Sequence, residues 1–372
     1  VHYNNIAGNS ANGVLNGAGA MIDARFNWWG DASGPTHSSN TGGTGDAISD
    51  NVDYSPWLGN PFEIMPRIYH VNLSGAPGAI QETIDEASPG DTIIVHDGTY
   101  NEAIKVDKTL TIQSASRPII QPDNTTPLYD GGIRRVAIYI TADNVIIRGF
   151  EIDGTQGTVH YGIYGLNTDG LLIEDNVIHN ITNEIGAPGY DVAGVGILIF
   201  GWDDTVNNNI IHNNTVYNTG RHGIFVGGME STYYKWLISS GNTISGNEVY
   251  NTWLGATNDA GAAVQLNGAK DSSILGNDIH DTANNNRGIY IYGSAGGSAN
   301  ILTCNNIYNN ARGILFWIEG SWIDWGGNTP AAPEVNYNNI YNNSIWGLYN
   351  YIGTGETVRV VDARFNWWGN AS

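Results

Sequence analysis

The stretch Asn305-Asn-Ile-Tyr-Asn309 decides the fold, because close variants of it recur along the chain. Each variant has Asn first, Ile or Val third, Tyr or His fourth, and Asn or Asp last. The others are Asn176-Val-Ile-His-Asn180, Asn214-Thr-Val-Tyr-Asn218, Asn247-Glu-Val-Tyr-Asn251, Asn277-Asp-Ile-His-Asp281 and Asn338-Asn-Ile-Tyr-Asn342. Their first residues are 38, 33, 30, 28 and 33 positions apart. A period between about 20 and 50 residues, made of short strands and polar turns, indicates a solenoid or a propeller.

The strands that follow these repeats favour the solenoid. They read Gly196-Ile-Leu-Ile199, Gly223-Ile-Phe-Val226, Gly288-Ile-Tyr-Ile291, Gly313-Ile-Leu-Phe316 and Gly347-Leu-Tyr349. Propeller blades need about 40–45 residues and four strands, whereas these units are shorter and vary in length. In stacked coils about 4.8 Å apart, each Asn amide can bond to the next coil while the Ile or Val column lies inside. We therefore predict an all-β, right-handed parallel β-helix.

A different pattern in residues 67–120 predicts a cap for the first coil. Ala79 to Ala87 reads as a helix with Ile80, Thr83, Ile84 and Ala87 on one face, and Ser88-Pro89-Gly90-Asp91 ends it. Strands are expected at 67–72, 92–95, 108–112 and 145–147. An amphipathic helix across the first coil would cover its open edge and its apolar core.

This block carries a resemblance to a known family. The helix followed by Pro-Gly-Asp-Thr, then Gly98-Thr-Tyr-Asn-Glu102 and Lys108-Thr-Leu110, resembles the N-terminal cap of pectate-lyase-like right-handed parallel β-helix proteins, including modules of microbial cell-surface and extracellular proteins. The resemblance covers most of residues 67–369 and implies the fold. That family includes lyases, hydrolases, epimerases and inert surface proteins, so the activity stays open.

An octapeptide is written twice in the chain. Asp23-Ala-Arg-Phe-Asn-Trp-Trp-Gly30 recurs letter for letter as Asp362 to Gly369, and Val1–Ile6 resembles Val335–Ile340. We expect residues 1–30 to be the C-terminal coil of a preceding β-helix module, 31–66 an inter-module linker, and 67–372 a second module with its cap at 67–120. Aromatic rings can cover a solenoid end, so the expected inter-module contacts are Phe26, Trp28, Trp29, Trp57, Phe365, Trp367 and Trp368.

Charge and composition limit the partners. The net charge is −21 with 15 basic residues, which argues against nucleic-acid binding because phosphate contacts need a basic patch. No run of 18 apolar residues is present, so we expect no membrane insertion in this segment. Cys304 is the single cysteine and is expected to be a small buried residue. The composition is typical of an extracellular or cell-surface protein, with candidate glycosylation acceptors at Asn72, Asn124, Asn180, Asn213, Asn342 and Asn370.

A catalytic role rests on few residues. If the chain is an enzyme, Asp203 and Asp204 at a corner, with Arg221 and His222 one coil later, are the candidates. The alternative is that these are solvated turn residues, and we expect no catalytic residue. His179 and His280 take the slot of Tyr in other repeats, which indicates a position on a sheet face and not a metal ligand.

Two further sets of residues could bind ligands. Asp46, Asp50 and Asp53 are weak candidates for Ca²⁺, and no other cofactor is expected. Two long loops contain exposed aromatic candidates that could stack on glycan rings, contact another protein or fold back over the solenoid. These candidates are Tyr233, Tyr234, Trp236, Trp317, Trp322 and Trp325.

The sequence favours a non-catalytic structural or adhesive module. Its expected partner is itself, head to tail, in a tandem chain or a filament, with polysaccharide as a second candidate partner. The alternatives are a carbohydrate-active enzyme (a polysaccharide lyase or a glycoside hydrolase) and a carbohydrate-binding module. An enzyme requires at least three acidic or basic side chains that converge in a groove.

Overall fold

Three long sheets are built from strands within residues 57–352, and each coil of the solenoid adds one strand to each sheet. The computed structural model describes residues 1–72, 78–114, 116–127, 134–156, 158–181, 193–252, 261–282, 286–294, 300–319, 323–324, 333–353 and 360–369. Strands of successive coils pair in parallel, which confirms the right-handed parallel β-helix. Within these ranges the sole α-helix is Ala79–Glu86.

The strands follow the order second, third, first sheet within each coil. The first sheet contains Ile104–Val106, Val136–Ile140, Tyr161–Leu166, Val195–Trp202, His222–Glu230, Ala262–Lys270, Arg287–Ser294, Arg312–Ile318 and Trp346–Ile352, with Lys235–Leu237 and Ser239–Ser240 attached. The second contains Trp57–Leu58, Ile68–Val71, Thr92–Val95, Thr111–Gln113, Ile146–Arg148, Leu172–Glu174, Ile210–His212, Thr243–Ser245, Ser273–Leu275, Ile301–Thr303 and Glu334–Asn336. The third contains Thr99–Tyr100, Ile119–Ile120, Glu151–Asp153, Val177–Ile181, Thr215–Thr219, Glu248–Thr252, Asp278–His280, Asn306–Tyr308 and Asn339–Tyr341. A separate two-stranded sheet pairs Ile22–Asp23 with Val52–Asp53.

The third residue of the repeat forms the core column of the third sheet. Ile178 lies level with Val216, and the pairing continues in register along the stack. Each of these side chains is at most 1% exposed, through Val249, Ile279, Ile307 and Ile340. Burial of this apolar column stabilises the repeat.

The first residue of the repeat forms an internal ladder of Asn side chains. Asn277 is typical: its Nδ2 donates to the carbonyl of Ile244 and to Oδ1 of Asn305, both at 2.9 Å. Its Oδ1 accepts from the backbone N–H and from Nδ2 of Asn247, at 2.9 and 3.0 Å. The ladder runs through Asn176, Asn214, Asn247, Asn277, Asn305, Asn338 and Asn366. Each buried amide thus has its hydrogen bonds satisfied.

Two corner positions of the coil have left-handed backbone. The last residue of the repeat is one of them, with φ of 51° at Asn218 and 54° at Asn309. The residue before the ladder Asn is the other, and it is Cys304 in one coil, with φ of 59°. The expectation that Cys304 is buried was wrong, because this corner points the side chain to solvent and the thiol is exposed.

The fourth residue of the repeat forms a stack of rings on the outer face of the third sheet. The rings of His179, Tyr217, Tyr250, His280, Tyr308 and Tyr341 follow one another at centroid distances of 4.9–5.1 Å. Adjacent planes are nearly parallel, so each ring covers the faces of its neighbours. Because only ring edges remain open, this stack does not offer flat faces to a sugar.

A glycine is the second residue of several strands of the first sheet, and close packing explains it at Gly223. A Cβ placed on Gly223 would lie 2.3 Å from Cγ1 of Val249 and 2.7 Å from the carbonyl oxygen of Ala263. The next coil therefore passes too close for a side chain.

The capping helix Ala79–Glu86 lies where the sequence placed it. Ile80, Thr83 and Ile84 are fully buried, and so is Ala87 just after it, at 3% exposed. Two side chains of the segment that follows form hydrogen bonds with free backbone groups at the ends of the helix. The carboxylate of Glu102 accepts from the N–H of Ile80 and of Gln81, at 3.2 and 3.0 Å. Nζ of Lys108 donates to the carbonyls of Ile84, Asp85 and Ala87 at 2.6–2.9 Å, which satisfies free groups at both helix ends.

Candidate functional site: two copies of one terminal coil

Residues 1–30 and 335–369, here called the first and second terminal coils, share the same local hydrogen bonds. In the first, the N–H and Nδ2 of Asn4 donate to Oδ1 of Asn27 at 2.9 and 3.1 Å. In the second, Asn338 donates to Asn366 in the same way at 2.8 and 3.0 Å. The Asn ladder of the main solenoid therefore ends in the second terminal coil, and the first repeats that ending.

The side chains of the octapeptides are also arranged alike. Tyr3 stacks on Phe26 with centroids 5.6 Å apart, and Tyr337 stacks on Phe365 at 5.3 Å. In each copy the Arg side chain bonds both carboxylate oxygens of the Asp two residues earlier, Arg25 to Asp23 and Arg364 to Asp362. The two identical octapeptides therefore adopt the same local structure in the first and the second terminal coil.

The surroundings of the two coils differ strongly. In the first terminal coil Phe26 is 2% exposed and Trp29 is fully buried. Their counterparts Phe365 and Trp368 are 66% and 47% exposed. Trp28 is half-buried, whereas Trp367 is exposed. Large exposed aromatic patches are uncommon on monomeric proteins and mark interaction surfaces.

Backbone from residues 51–58 covers the first terminal coil. The N–H of Ala24 donates to the carbonyl of Asp53 at 2.8 Å, and the N–H of Phe26 donates to that of Pro56 at 2.6 Å. The N–H of Leu58 in turn donates to the carbonyl of Asn27 at 3.0 Å. This segment therefore continues the sheet edge of the coil, and its residues Trp57 and Leu58 pair antiparallel with the strand Ile68–Val71.

Trp57 connects the covering segment to the main solenoid. It is 1% exposed and stacks on His70 and His96, with centroid distances of 5.1 and 5.2 Å. Its Nε1 donates to the carbonyl of Ala32 at 3.1 Å. Burial, together with the neighbouring His96, lowers the pKa of His70 to about 4.

The capping helix supplies two carboxylates to the first terminal coil. The guanidinium of Arg25 forms an ion pair with Glu82, and the hydroxyl of Tyr3 donates to Glu86. The hydrogen bond from Arg25 holds the pKa of Asp23 well below its ordinary value. The pKa of Arg25 is raised mainly by the hydrogen bond to Asp23, and Glu82 adds to the shift.

The second terminal coil has no such cover among the described residues. Within the described residues, the backbone N–H groups of Ala363 and Phe365 donate to no acceptor. The side chain of Arg364 is 75% exposed, compared with 17% for Arg25. The second terminal coil is thus an open sheet edge with an exposed aromatic face.

The four enzyme candidates do not come together. His222 is level with Val195 at the start of its strand, while Met229, level with Trp202, lies beside Asp203 at the other end. Seven residues of strand separate the two sites, or about 23 Å. Asp203 is exposed and accepts hydrogen bonds from Ser231, which lower its pKa. His222 is 1% exposed, and burial lowers its pKa well below the ordinary value.

The candidate Ca²⁺ ligands have other partners. Asp46 accepts hydrogen bonds from the backbone N–H groups of Gly8 and Asn9, Asp50 lies 3.3 Å from His37, and Asp53 lies 3.8 Å from Arg25. Among the described residues, no three His, Cys, Asp or Glu side chains are placed to share a metal ion.

The aromatic loop candidates divide into three groups. Tyr233 and Tyr234 are 68% and 44% exposed. Trp236 packs against Phe225 on the first sheet, and Trp317 stacks on Tyr351 at a centroid distance of 3.9 Å. Trp322 and Trp325 lie outside the described residues.

The glycosylation candidates also differ in exposure. Asn124, Asn213 and Asn342 are exposed, whereas Asn72 and Asn180 are half-buried. Nδ2 of Asn180 donates to Asp153 at 3.0 Å. Asn370 lies outside the described residues.

Comparison with known proteins supports a surface setting for relatives of this chain. A cell surface glycoprotein of Methanothermus fervidus is 31% identical over 180 residues, which cover 44% of this chain and 28% of that protein. The chain therefore matches less than a third of the length of this relative. In the described part of the chain, no helix has the length and apolarity to cross a membrane.

Solved structures share the fold at low identity. The Dettilon tailspike protein gp208 is 18% identical, with a TM-score of 0.52 over 74% of this chain and 51% of that chain. XylC in complex with xylose is 15% identical, with a TM-score of 0.53 over 76% and 68%. The alginate lyase from Paenibacillus sp. str. FPU-7 is 17% identical, with a TM-score of 0.52 over 81% and 98%. At these identities the likeness concerns the fold alone.

The family match covers most of the chain. The model described as "Periplasmic copper-binding protein (NosD)" matches residues 84–370. In the described ranges His70 and His96 are hydrogen-bonded to each other at 2.9 Å, and no third ligand joins them. The described part of the chain therefore does not supply a ligand set for copper. Since the match extends over more than half of the chain, the protein belongs to the NosD family of right-handed parallel β-helix proteins.

Proposed function

We propose that this chain is a non-catalytic structural part of an extracellular or cell-surface protein in which β-helix modules stack end to end. One observation carries the proposal. The same terminal coil is present twice, buried under the start of a solenoid at one place and exposed at the other. An open β-helix end with exposed indoles is prone to pair or aggregate with other chains unless another element covers it.

The comparison with the cell surface glycoprotein supports the location. That relative is much longer than the matched region, as expected for a protein built from several modules. Asn124, Asn213 and Asn342 are exposed acceptor sites that fit a glycosylated surface.

The arrangement of charged residues supports a non-catalytic role. The acidic candidates Asp203 and Asp204 lie at the opposite end of the strands from Arg221 and His222, so they cannot act on one substrate atom. The outer ring stack of the third sheet exposes ring edges, which makes it a poor platform for sugar rings.

A tandem protein tests the stacking. Residues 34–372 are appended after Ser372, because residues 31–33 (Asp-Ala-Ser) and 370–372 (Asn-Ala-Ser) are nearly the same. We expect small-angle X-ray scattering of a straight rod whose maximum dimension exceeds that of the single chain by about 50 Å, the rise of roughly ten coils. The control replaces residues 34–58 of the second copy with a Gly-Ser linker of equal length. If the tandem scatters like this flexible control, the proposed stacking is wrong.

An activity screen tests the non-catalytic role. The chain is incubated with uronate-containing and neutral polysaccharides, and unsaturated or reducing ends are measured. We expect no product. Product that disappears in Asp203→Asn or Asp204→Asn would establish the alternative, a polysaccharide lyase or glycoside hydrolase.

A further inference from the structure

We infer that the exposed second terminal coil is a docking surface for the leading segment of a following module, which must carry an acidic capping helix and a buried Trp like those of residues 46–86. A second copy of this chain cannot dock there end to end. This docking role rests on the proposed function and specifies the partner. The first terminal coil carries an occupied copy of the same surface, and that copy shows what a partner must provide.

Charge identifies the first requirement. Two guanidinium nitrogens of Arg25 donate hydrogen bonds to Asp23, and the third forms an ion pair with Glu82 of the capping helix. Arg364 makes the same two bonds to Asp362 but remains 75% exposed. The partner must therefore present a carboxylate at the position that Glu82 occupies.

The aromatic side chains identify the second requirement. Trp29 is buried in a cluster with Val52, Tyr54 and Trp57, all from the covering segment. Phe26 packs edge-on against Tyr69, with centroids 6.3 Å apart. Trp368 and Phe365 offer the same two rings without these partners, so a matching aromatic segment would bury them.

The open sheet edge fixes the direction of docking. Ala24 and Phe26 donate their N–H groups to the carbonyls of Asp53 and Pro56. The N–H groups of Ala363 and Phe365, at the same positions of the octapeptide, have no such acceptor among the described residues. The segment that covers the first copy pairs in parallel with Ile22–Asp23, so the partner must supply a parallel segment with two carbonyls.

A second copy of this chain does not fit, because its own capping surface is occupied. Its Glu82 already pairs with Arg25, and its Trp57 cluster already holds Trp29. Docking in trans would require release of the fully buried Trp29. A segment joined covalently to the second terminal coil, as residue 31 is joined to residue 30, would meet no such competition.

Amide exchange in the tandem protein tests the contact. The octapeptides are identical, so the amides of Ala24 and Ala363, and of Phe26 and Phe365, have the same intrinsic rates. In the single chain we expect Ala363 and Phe365 to exchange about 100-fold faster than Ala24 and Phe26. In the tandem protein all four should be protected alike. A straight tandem rod without protection at Ala363 and Phe365 would overturn this inference and leave the proposed stacking intact.

A charge swap tests the ion pair. Arg364→Glu in the tandem should abolish the protection of Phe365, and Glu82→Arg in the second copy should restore it. In the single chain, Arg364→Glu should change the melting temperature little, because the Arg364–Asp362 pair is exposed. Unchanged protection in the tandem Arg364→Glu variant would contradict the assigned partner.

Sedimentation of the single chain tests the exclusion of a second copy. We expect a monomer across a 100-fold range of concentration. End-to-end dimers that Trp368→Ala abolishes would show that docking in trans occurs and that this part of the inference is wrong.

Discussion

Trp29 and Trp368 occupy the same position of an identical octapeptide, yet Trp29 is fully buried and Trp368 is 47% exposed. Both rings lie over a glycine of their own coil, Gly13 and Gly347. The difference arises on the other side of the ring, where Trp57 and its neighbours cover Trp29. Identical sequence therefore has a different energetic role at the two sites.

This difference predicts unequal effects of one substitution. Trp29→Ala should lower the free energy of unfolding by about 4 kcal/mol, because it removes a fully buried indole and leaves a cavity. Trp368→Ala should cost less than about 1 kcal/mol in the single chain, because much of its surface already contacts water. Urea unfolding followed by circular dichroism measures both. Equal losses would mean that the two coils are equally covered in solution.

The Asn ladder predicts a large loss from removal of one amide. Asn277→Ala deletes four hydrogen bonds and leaves the carbonyl of Ile244 and the N–H of Asn247 buried without that partner. We expect a loss of about 3 kcal/mol in the free energy of unfolding.

The matched control for the ladder is Asn339→Ala. Asn339 is exposed, and its Nδ2 donates to the side chain of Asn306. This change should cost less than about 0.5 kcal/mol. A ladder that contributes nothing beyond a surface amide would give the same value for both variants.

Close packing of the coils predicts that a single added methyl group at Gly223 destabilises the fold. Its Cβ would lie within 2.7 Å of two atoms of the next coils, so Gly223→Ala should cost about 1–3 kcal/mol. Gly17→Ala is the comparison, since no atom lies within 4 Å of a Cβ there. Thermal melting of both variants measures the difference, and a neutral Gly223→Ala would contradict the close approach.

The histidine pair predicts a loss of stability in mild acid. The pKa of His70 is about 4 in the folded chain and 6.5 in an unfolded one, so the unfolded state binds more protons between these values. The stability that His70 contributes is thus complete above pH 6.5 and is lost as the pH falls toward 4. At pH 5 the loss from this group should be about 1–2 kcal/mol relative to pH 7.

Comparison with His70→Gln isolates the effect of His70 from other titrating groups. The difference in free energy of unfolding between pH 7 and pH 5 should be smaller in the variant by that amount. The same pH dependence in both proteins would show that His70 titrates normally in the folded state.

The fold could be predicted from the sequence because each repeat position has one physical task. The ladder Asn, the apolar third residue and the ring at the fourth position all lie as their chemistry requires. The capping helix was also predicted, since Ile80, Thr83 and Ile84 form an obvious apolar face. A second polar ladder was missed, in which Asn209 bonds Asn242 and Asn242 bonds Ser272. Its members vary in type, so no sequence pattern marks it.

The candidate site was harder to predict because it depends on what covers each coil. The octapeptide identifies a terminal coil, but its sequence is identical in the copy with buried Phe26 and in the copy with exposed Phe365. The sequence of the octapeptide therefore does not tell which copy is covered. The pairing of Arg25 with Glu82 joins residues 57 positions apart, and no local pattern reveals it. Likewise, Asp203 and His222 are near in sequence yet lie at opposite strand ends.

The constant rise of the coils means that the axial length of the solenoid depends only on the number of coils. Repeat lengths vary from 28 to 38 residues, yet every coil adds about 4.8 Å to the axis, because strand spacing is set by backbone hydrogen bonds. Residues inserted at a corner widen the surface without moving the two ends apart. Evolution can thus alter what the sides display while the distance between successive junctions stays fixed by the number of coils.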